Sequence, residues 1–174
     1  FGIIDLASLP KDRYYLYRSV WNKQAHTLHM LPHWTWPGRE GEVTPVYVYT
    51  DYPEAELFVN GRSQGRRTKQ DTARLDRFRL RWNEVVYEPG TVKVVAYDAT
   101  GHAADSLSLS TAGTPSTLHL EADRTVLTAD GDDLAFVTVQ LHDAAGTFCP
   151  TLSDELTFEV SGAGSFQAVC NGDA

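Results

Sequence analysis

Three histidines within eight residues, His26, His29 and His33, are the first side chains whose type and spacing could hold a metal ion. Metal geometry is demanding and no cysteine or carboxylate joins them locally, so they read as packing or surface histidines. Cys149 and Cys170, with 20 residues between them, read as two separate thiols, a disulfide staying open if the protein is exported. Eight basic residues meet two acids between Arg62 and Arg81, a run that could hold an anionic polymer. Arg77, Arg79 and Arg81 alternate, however, which on a strand sends all three to one side, so the run is expected to be the solvated face of a hairpin. No serine nucleophile elbow, phosphate loop or dinucleotide fingerprint occurs. With 23 acids in the chain, proximity of some carboxylate pair carries no information.

Few helical elements are available to position any of these groups. The one helix expected spans about 10–21: Pro10 suits a first turn, Ser8 or Asp5 could cap it, and Tyr14, Leu16, Tyr17, Val20 and Trp21 form an apolar face. After Trp36-Pro37-Gly38 the apolar period changes to two. Strands are predicted at Val43–Tyr49, Glu54–Val59, Phe78–Trp82, Thr91–Tyr97 and His102–Ser110, with a hairpin turn at Asn60-Gly61. Further on, Thr117–Ala122, Leu134–His142, Leu156–Val160 and Ser165–Val169 are separated by Asp130-Gly131, Ala145-Gly146 and Ser161-Gly162. Short strands with regular turn signals predict antiparallel sandwiches.

Composition divides the chain. Residues 1–113 hold 14 Lys and Arg against 13 Asp and Glu, whereas 114–174 hold one Arg against 10 acids, so the net charge of −8 is +1 and −9. Every Trp and Tyr lies in the first part. The shift falls in a short polar stretch, Ser110 to Ser116, which predicts a domain boundary near Thr114. The fold expected is therefore all-β: two immunoglobulin-like antiparallel sandwiches in tandem with a short N-terminal helix, the second cut short or short by nature. Overall acidity argues against nucleic acid, and no run of 18 apolar residues offers a membrane span. A chain opening on Phe-Gly-Ile-Ile-Asp is expected to be a piece of a longer protein.

Several segments carry a more specific signature. They are Phe1 to Tyr17, Leu31-Pro-His-Trp-Thr-Trp-Pro-Gly38, Ala55-Glu-Leu-Phe-Val-Asn-Gly-Arg-Ser-Gln-Gly65, Arg81-Trp82, Tyr87-Glu-Pro-Gly90, Lys93-Val-Val-Ala-Tyr97, Leu127 to Leu134 and Asn171-Gly-Asp173. In that order they resemble the region that follows the catalytic barrel in bacterial glycoside hydrolase family 2 enzymes, chiefly β-galactosidases. The resemblance implies that residues 1–22 are the end of the barrel, 23–113 an immunoglobulin-like sandwich and 114–174 a second, partial immunoglobulin-like or invasin-like sandwich. It also implies that the catalytic glutamates lie elsewhere, so this piece hydrolyses nothing itself. Asn83-Glu84 imitates the acid/base dipeptide of barrel glycosidases, but its place between a strand and a Pro-Gly turn makes it a coincidence.

The role implied is that of an accessory region of a periplasmic or extracellular β-galactosidase. Its partners would be its own barrel and a β-galactoside or polysaccharide substrate, with a homo-oligomer compatible and no cofactor expected. In the wider family an aromatic residue from beyond the barrel packs on the sugar, and Trp34 and Trp36 are the matching candidates. A contrary reading has both indoles sealing the joint between barrel and sandwich. A carbohydrate-binding module, or the same region of a β-glucuronidase or β-mannosidase, is the alternative. Against the module stands a second sandwich with four Phe but no Trp or Tyr.

Overall fold

The computed structural model describes residues 2–5 and 8–170; Phe1, Leu6, Ala7 and Asn171 to Ala174, with the Asn171-Gly-Asp173 motif, lie outside the described residues. Among the described residues one helix is present, α1 (Asp12–Trp21), and it starts later than expected. Pro10 forms an antiparallel bridge with Ile4 instead of opening the helix. Neither Ser8 nor Asp5 caps it: Lys11 holds the cap position without a side-chain bond, while Asp5 Oδ1 accepts the Leu9 N–H at 2.8 Å. The acid in the first turn is Asp12, placed where the helix dipole favours it.

The docked face of α1 also differs from the one its apolar residues suggest. Tyr15 and Ser19 turn inward, with the exposed Asp12 at the end of the same face by helical spacing. Tyr15 stacks on His29 with centroids 3.9 Å apart, Asp12 Oδ1 accepts from the His29 Nε2 N–H at 2.8 Å, and Ser19 is buried. Tyr17 and Trp21 point away, the latter 69% exposed. A stacked imidazole with a carboxylate partner outcompetes a wider apolar stripe here.

Seven strands form a sandwich beside the helix. One sheet has the order β1-β2-β5, from β1 (Leu28–Leu31), β2 (Val46–Thr50) and β5 (Leu80–Trp82). The other has the order β4-β3-β6-β7, from β3 (Glu54–Val59), β4 (Arg62–Thr68), β6 (Thr91–Tyr97) and β7 (Ala103–Ser110). All pairings are antiparallel. Alternation in β3 and β6 buries Ala55, Leu57 and Val59 and Val92, Val94 and Ala96, as a period of two requires. These meet Met30, Val46, Val48, Leu80 and Trp82 from the facing sheet to make the core.

Turn chemistry sets the register. Asn60 and Gly61 have φ of 48° and 77°, the left-handed pair that a type I′ turn needs between β3 and β4. Asn60 also binds the next turn, its Oδ1 accepting the Thr91 N–H at 2.8 Å and its Nδ2 donating to the Pro89 carbonyl at 3.1 Å. β5 starts at Leu80 rather than Phe78, because Arg77 and Phe78 lie in turns. The expected row of Arg77, Arg79 and Arg81 is thereby broken.

Beyond Ser110 the chain crosses to β8 (Pro115–Ala122), which pairs with β9 (Val137–Asp143). Three consecutive residues fasten the crossing. Thr111 Oγ1 donates to the Trp34 carbonyl at 2.7 Å, the Ala112 N–H donates to Thr35 Oγ1 at 3.0 Å, and the Gly113 N–H donates to Asp143 Oδ2 at 2.7 Å. Asp143 Oδ1 meanwhile accepts the N–H groups of Ala145 and Thr147.

The second part is leaner than expected. Leu156–Val160 and Ser165–Val169 are not strands, so among the described residues this part holds a single two-stranded sheet. Alternating apolar residues make a strand only when a neighbouring backbone supplies hydrogen bonds, and neither segment finds one. Phe158 and Phe166 stack on each other instead, 6.0 Å apart. Cys149 is buried, Cys170 is exposed, and both are free thiols. Among the described residues no helix is long and apolar enough to cross a membrane.

Candidate functional site

The two tryptophans singled out by sequence lie in the segment between β1 and β2, and their environments differ. Trp34 is 1% exposed and belongs to the core, edge-on to the equally buried Tyr87 at 5.2 Å and 71°. Its indole N–H donates to the Glu88 carbonyl at 3.1 Å, which satisfies the one polar atom taken inside. Trp36 is partly exposed. Its indole N–H donates to the His33 carbonyl at 2.9 Å, its backbone N–H donates to Tyr87 Oη at 3.3 Å, and the Arg39 guanidinium carbon is 5.1 Å from its ring centroid.

His33 completes this cluster. Its ring stacks on Trp36 at 4.0 Å, and its Nδ1 accepts the Thr35 N–H at 3.2 Å. Accepting at Nδ1 requires the neutral ring, and burial pushes the His33 pKa down despite the opposing pull of Asp12. A neutral imidazole packed on an amphipathic indole makes a mixed apolar and polar surface. Such a surface suits the C–H face of a pyranose. Of the pair, Trp36 is the one with surface to offer; Trp34 belongs to the core against which Trp36 packs.

The other histidines work separately. His26 is an exposed residue whose Nδ1 lies 2.5 Å from Asp51 Oδ2 and whose ring stacks on Tyr52. Asp51 Oδ1 also accepts the Thr27 N–H at 2.6 Å. Although burial acts to raise the Asp51 pKa and is the largest single influence, this bond and His26 together hold it below the usual carboxylate value. His29 pins α1. Nearby, Lys69 Nζ donates to the Thr50 carbonyl at 2.5 Å, and burial lowers its pKa. Among the described residues no three of His, Cys, Asp or Glu converge as metal ligands would.

Sequence reasoning missed the contributions of His33, Arg39 and Tyr87 to the Trp36 surface. Tyr87 stands 51 positions from Trp36, and nothing local marks a contact at that distance. Asn83 and Glu84 are exposed beyond β5, on the rim of a cleft between β4 and β5.

Comparison with known proteins bears on the fold and family. Residues 41–104 match the Domain of unknown function (DUF4982), and residues 118–174 match the Glycoside hydrolase family 2 C-terminal domain 5. The chain is 45% identical over 99% of its length to the β-galactosidase BoGH2A of Bacteroides ovatus. It is 28% identical over 92% of its length to a β-glucuronidase of Formosa agariphila. It spans 19% and 16% of those two proteins. A β-glycosidase from Bacteroides vulgatus superposes with a TM-score of 0.81 at 34% identity, covering 93% of this chain and 20% of that one. Fold and sequence together define an antiparallel β-sandwich region similar to one found in glycosidases. Residues 118–174 carry a glycoside hydrolase family 2 C-terminal domain, and the chain as a whole is similar to part of enzymes of that family.

Proposed function

We propose that this chain is the non-catalytic accessory region of an exported β-galactosidase and that it braces the catalytic barrel and borders its sugar site. The observation that carries this reading is α1. It is fastened to the sandwich through Asp12, Tyr15 and His29 while Tyr17 and the 69% exposed Trp21 face outward. Exposed clustered aromatics mark an interaction surface, and a barrel wall is the apolar surface this reading supplies. Residues 1–22 then form the barrel's end, 23–113 the first sandwich and 114–174 the second. The greater identity to a β-galactosidase than to a β-glucuronidase supports a galactoside as the substrate.

Trp36 is assigned to the sugar and Trp34 to its support. In the whole enzyme, Trp36→Ala should lower kcat/KM for a β-galactoside by about three- to tenfold, the loss of one aromatic contact. Trp21→Ala should lower thermal stability of the whole enzyme and leave that of the present chain unchanged. Unaltered galactoside kinetics in Trp36→Ala would remove the sugar contact, and turnover of a galactoside by the present chain alone would remove the accessory role. Preference of the whole enzyme for a β-glucuronide would reassign the substrate.

A further inference from the structure

The eight basic residues between Arg62 and Arg81 are not one solvated face. Arg62 pairs with Glu88, Arg66 pairs with Glu54 while lying 3.6 Å over the Tyr97 ring, and Lys69 is drawn to the Thr50 carbonyl. Arg77 lies over Phe78. The remaining positive charge converges where the edge strands β4 and β5 part. There a cleft of about 390 Å³ opens, at the small end of the roughly 300–1,000 Å³ typical of ligand sites.

Its floor is apolar, made by Leu80, Trp82 and Val85, each 2% exposed. The Trp82 indole N–H donates to the Gly65 carbonyl at 2.8 Å and closes the bottom. Three guanidiniums line the walls, those of Arg67, Arg79 and Arg81, against the carboxylates of Asp76 and Glu84. Arg79 Nε and Arg81 Nη2 share the single Asp76, at 3.5 and 2.9 Å. Arg67 has no ion pair among the described residues, and Asp76 Oδ1 and Arg79 Nε are buried without a hydrogen-bond partner. Three forks with five N–H donors each therefore retain donors free for an acceptor. Gln64, Gln70 and Asn83 also line the cleft, the Gln64 amide donating to the Arg62 carbonyl at 3.2 Å.

We propose that this cleft is a binding site for an acidic sugar, taking a uronate through its carboxylate at Arg67 and Arg81 and its hydroxyls at the neighbouring amides. A planar guanidinium matches a carboxylate with two parallel hydrogen bonds, and an apolar floor accepts the C–H face of the ring. Such a site would hold an acidic glycan against the first sandwich. It goes beyond the bracing role and does not depend on the sugar the parent cleaves, so its failure would leave that role standing.

Amide NMR titration of the chain with glucuronate and galacturonate, against glucose, galactose and sulfate, tests the site. Saturable shifts of the Arg67, Gln70 and Arg81 amides are expected with the uronates and not with the neutral sugars. Arg67→Ala and Arg81→Gln should each weaken binding by about tenfold, as loss of a charge-assisted contact does, and Arg74→Ala should not. The spectrum itself reports whether each variant is folded. Absence of saturable shifts with either uronate, equal response to neutral sugars, equal affinity for sulfate, or unchanged binding in both arginine variants would each overturn the proposal.

Discussion

At the residue scale, His33 shows how one half-buried imidazole can set the condition of an aromatic surface. Its Nδ1 accepts the Thr35 N–H, a bond open only to the neutral ring. Because burial lowers the folded pKa, the unfolded chain binds this proton more readily. The packing is therefore fully favourable above the ordinary histidine value of about 6.5 and weakens as pH falls through the lower folded value. Trp36 fluorescence should follow that titration, with a midpoint below the ordinary histidine value, and His33→Gln should abolish this pH dependence while sparing the fold. A dependence that survives the substitution would place the titrating group elsewhere. Trp34 carries a different lesson: its neighbour two residues away shares its type, yet only burial separates a core indole from a surface one.

Among the elements, the turn at Gly90 is the most constrained. Gly90 has φ of 131°, and a Cβ there would meet Asn60 Oδ1 at 2.0 Å, the atom that accepts the Thr91 N–H. Gly90→Ala should cost about 1–3 kcal/mol, seen as a lower denaturation midpoint, by straining the backbone and expelling the Asn60 side chain that ties two hairpins together. Glu54–Val59 and Thr91–Tyr97 were legible in sequence to the residue, because alternation and turn residues agreed at both ends. β1 was not: Leu28-His-Met-Leu31 is four residues long and has no turn residue before it, so only its pairing with β2 defines it. The helix was legible in place but not in orientation, since Tyr15 docks through a histidine that sequence periodicity does not count. Leu156–Val160 shows the converse failure, an alternating segment without a partner.

Across the whole molecule, one carboxylate governs the passage between the two β regions. Asp143 accepts from Gly113, Thr147 and Ala145, and these backbone donors hold its pKa below 3.8. A depressed carboxylate contributes its stabilisation above about pH 4 and loses it as pH falls through the lower folded value. The Gly113 amide shift should therefore titrate with a midpoint under 3.8, and Asp143→Ala should raise the mobility of residues 111–113 in NMR relaxation. An unchanged relaxation profile would show that the crossing is held by packing alone. The fastened crossing also has a mechanical side. With Thr111, Ala112 and Gly113 each bonded to a different anchor, a pull on the β8–β9 sheet has no slack to take up, and the load passes through two hydrogen bonds into the Trp34 carbonyl and the Thr35 hydroxyl, one residue from the indole face of Trp36.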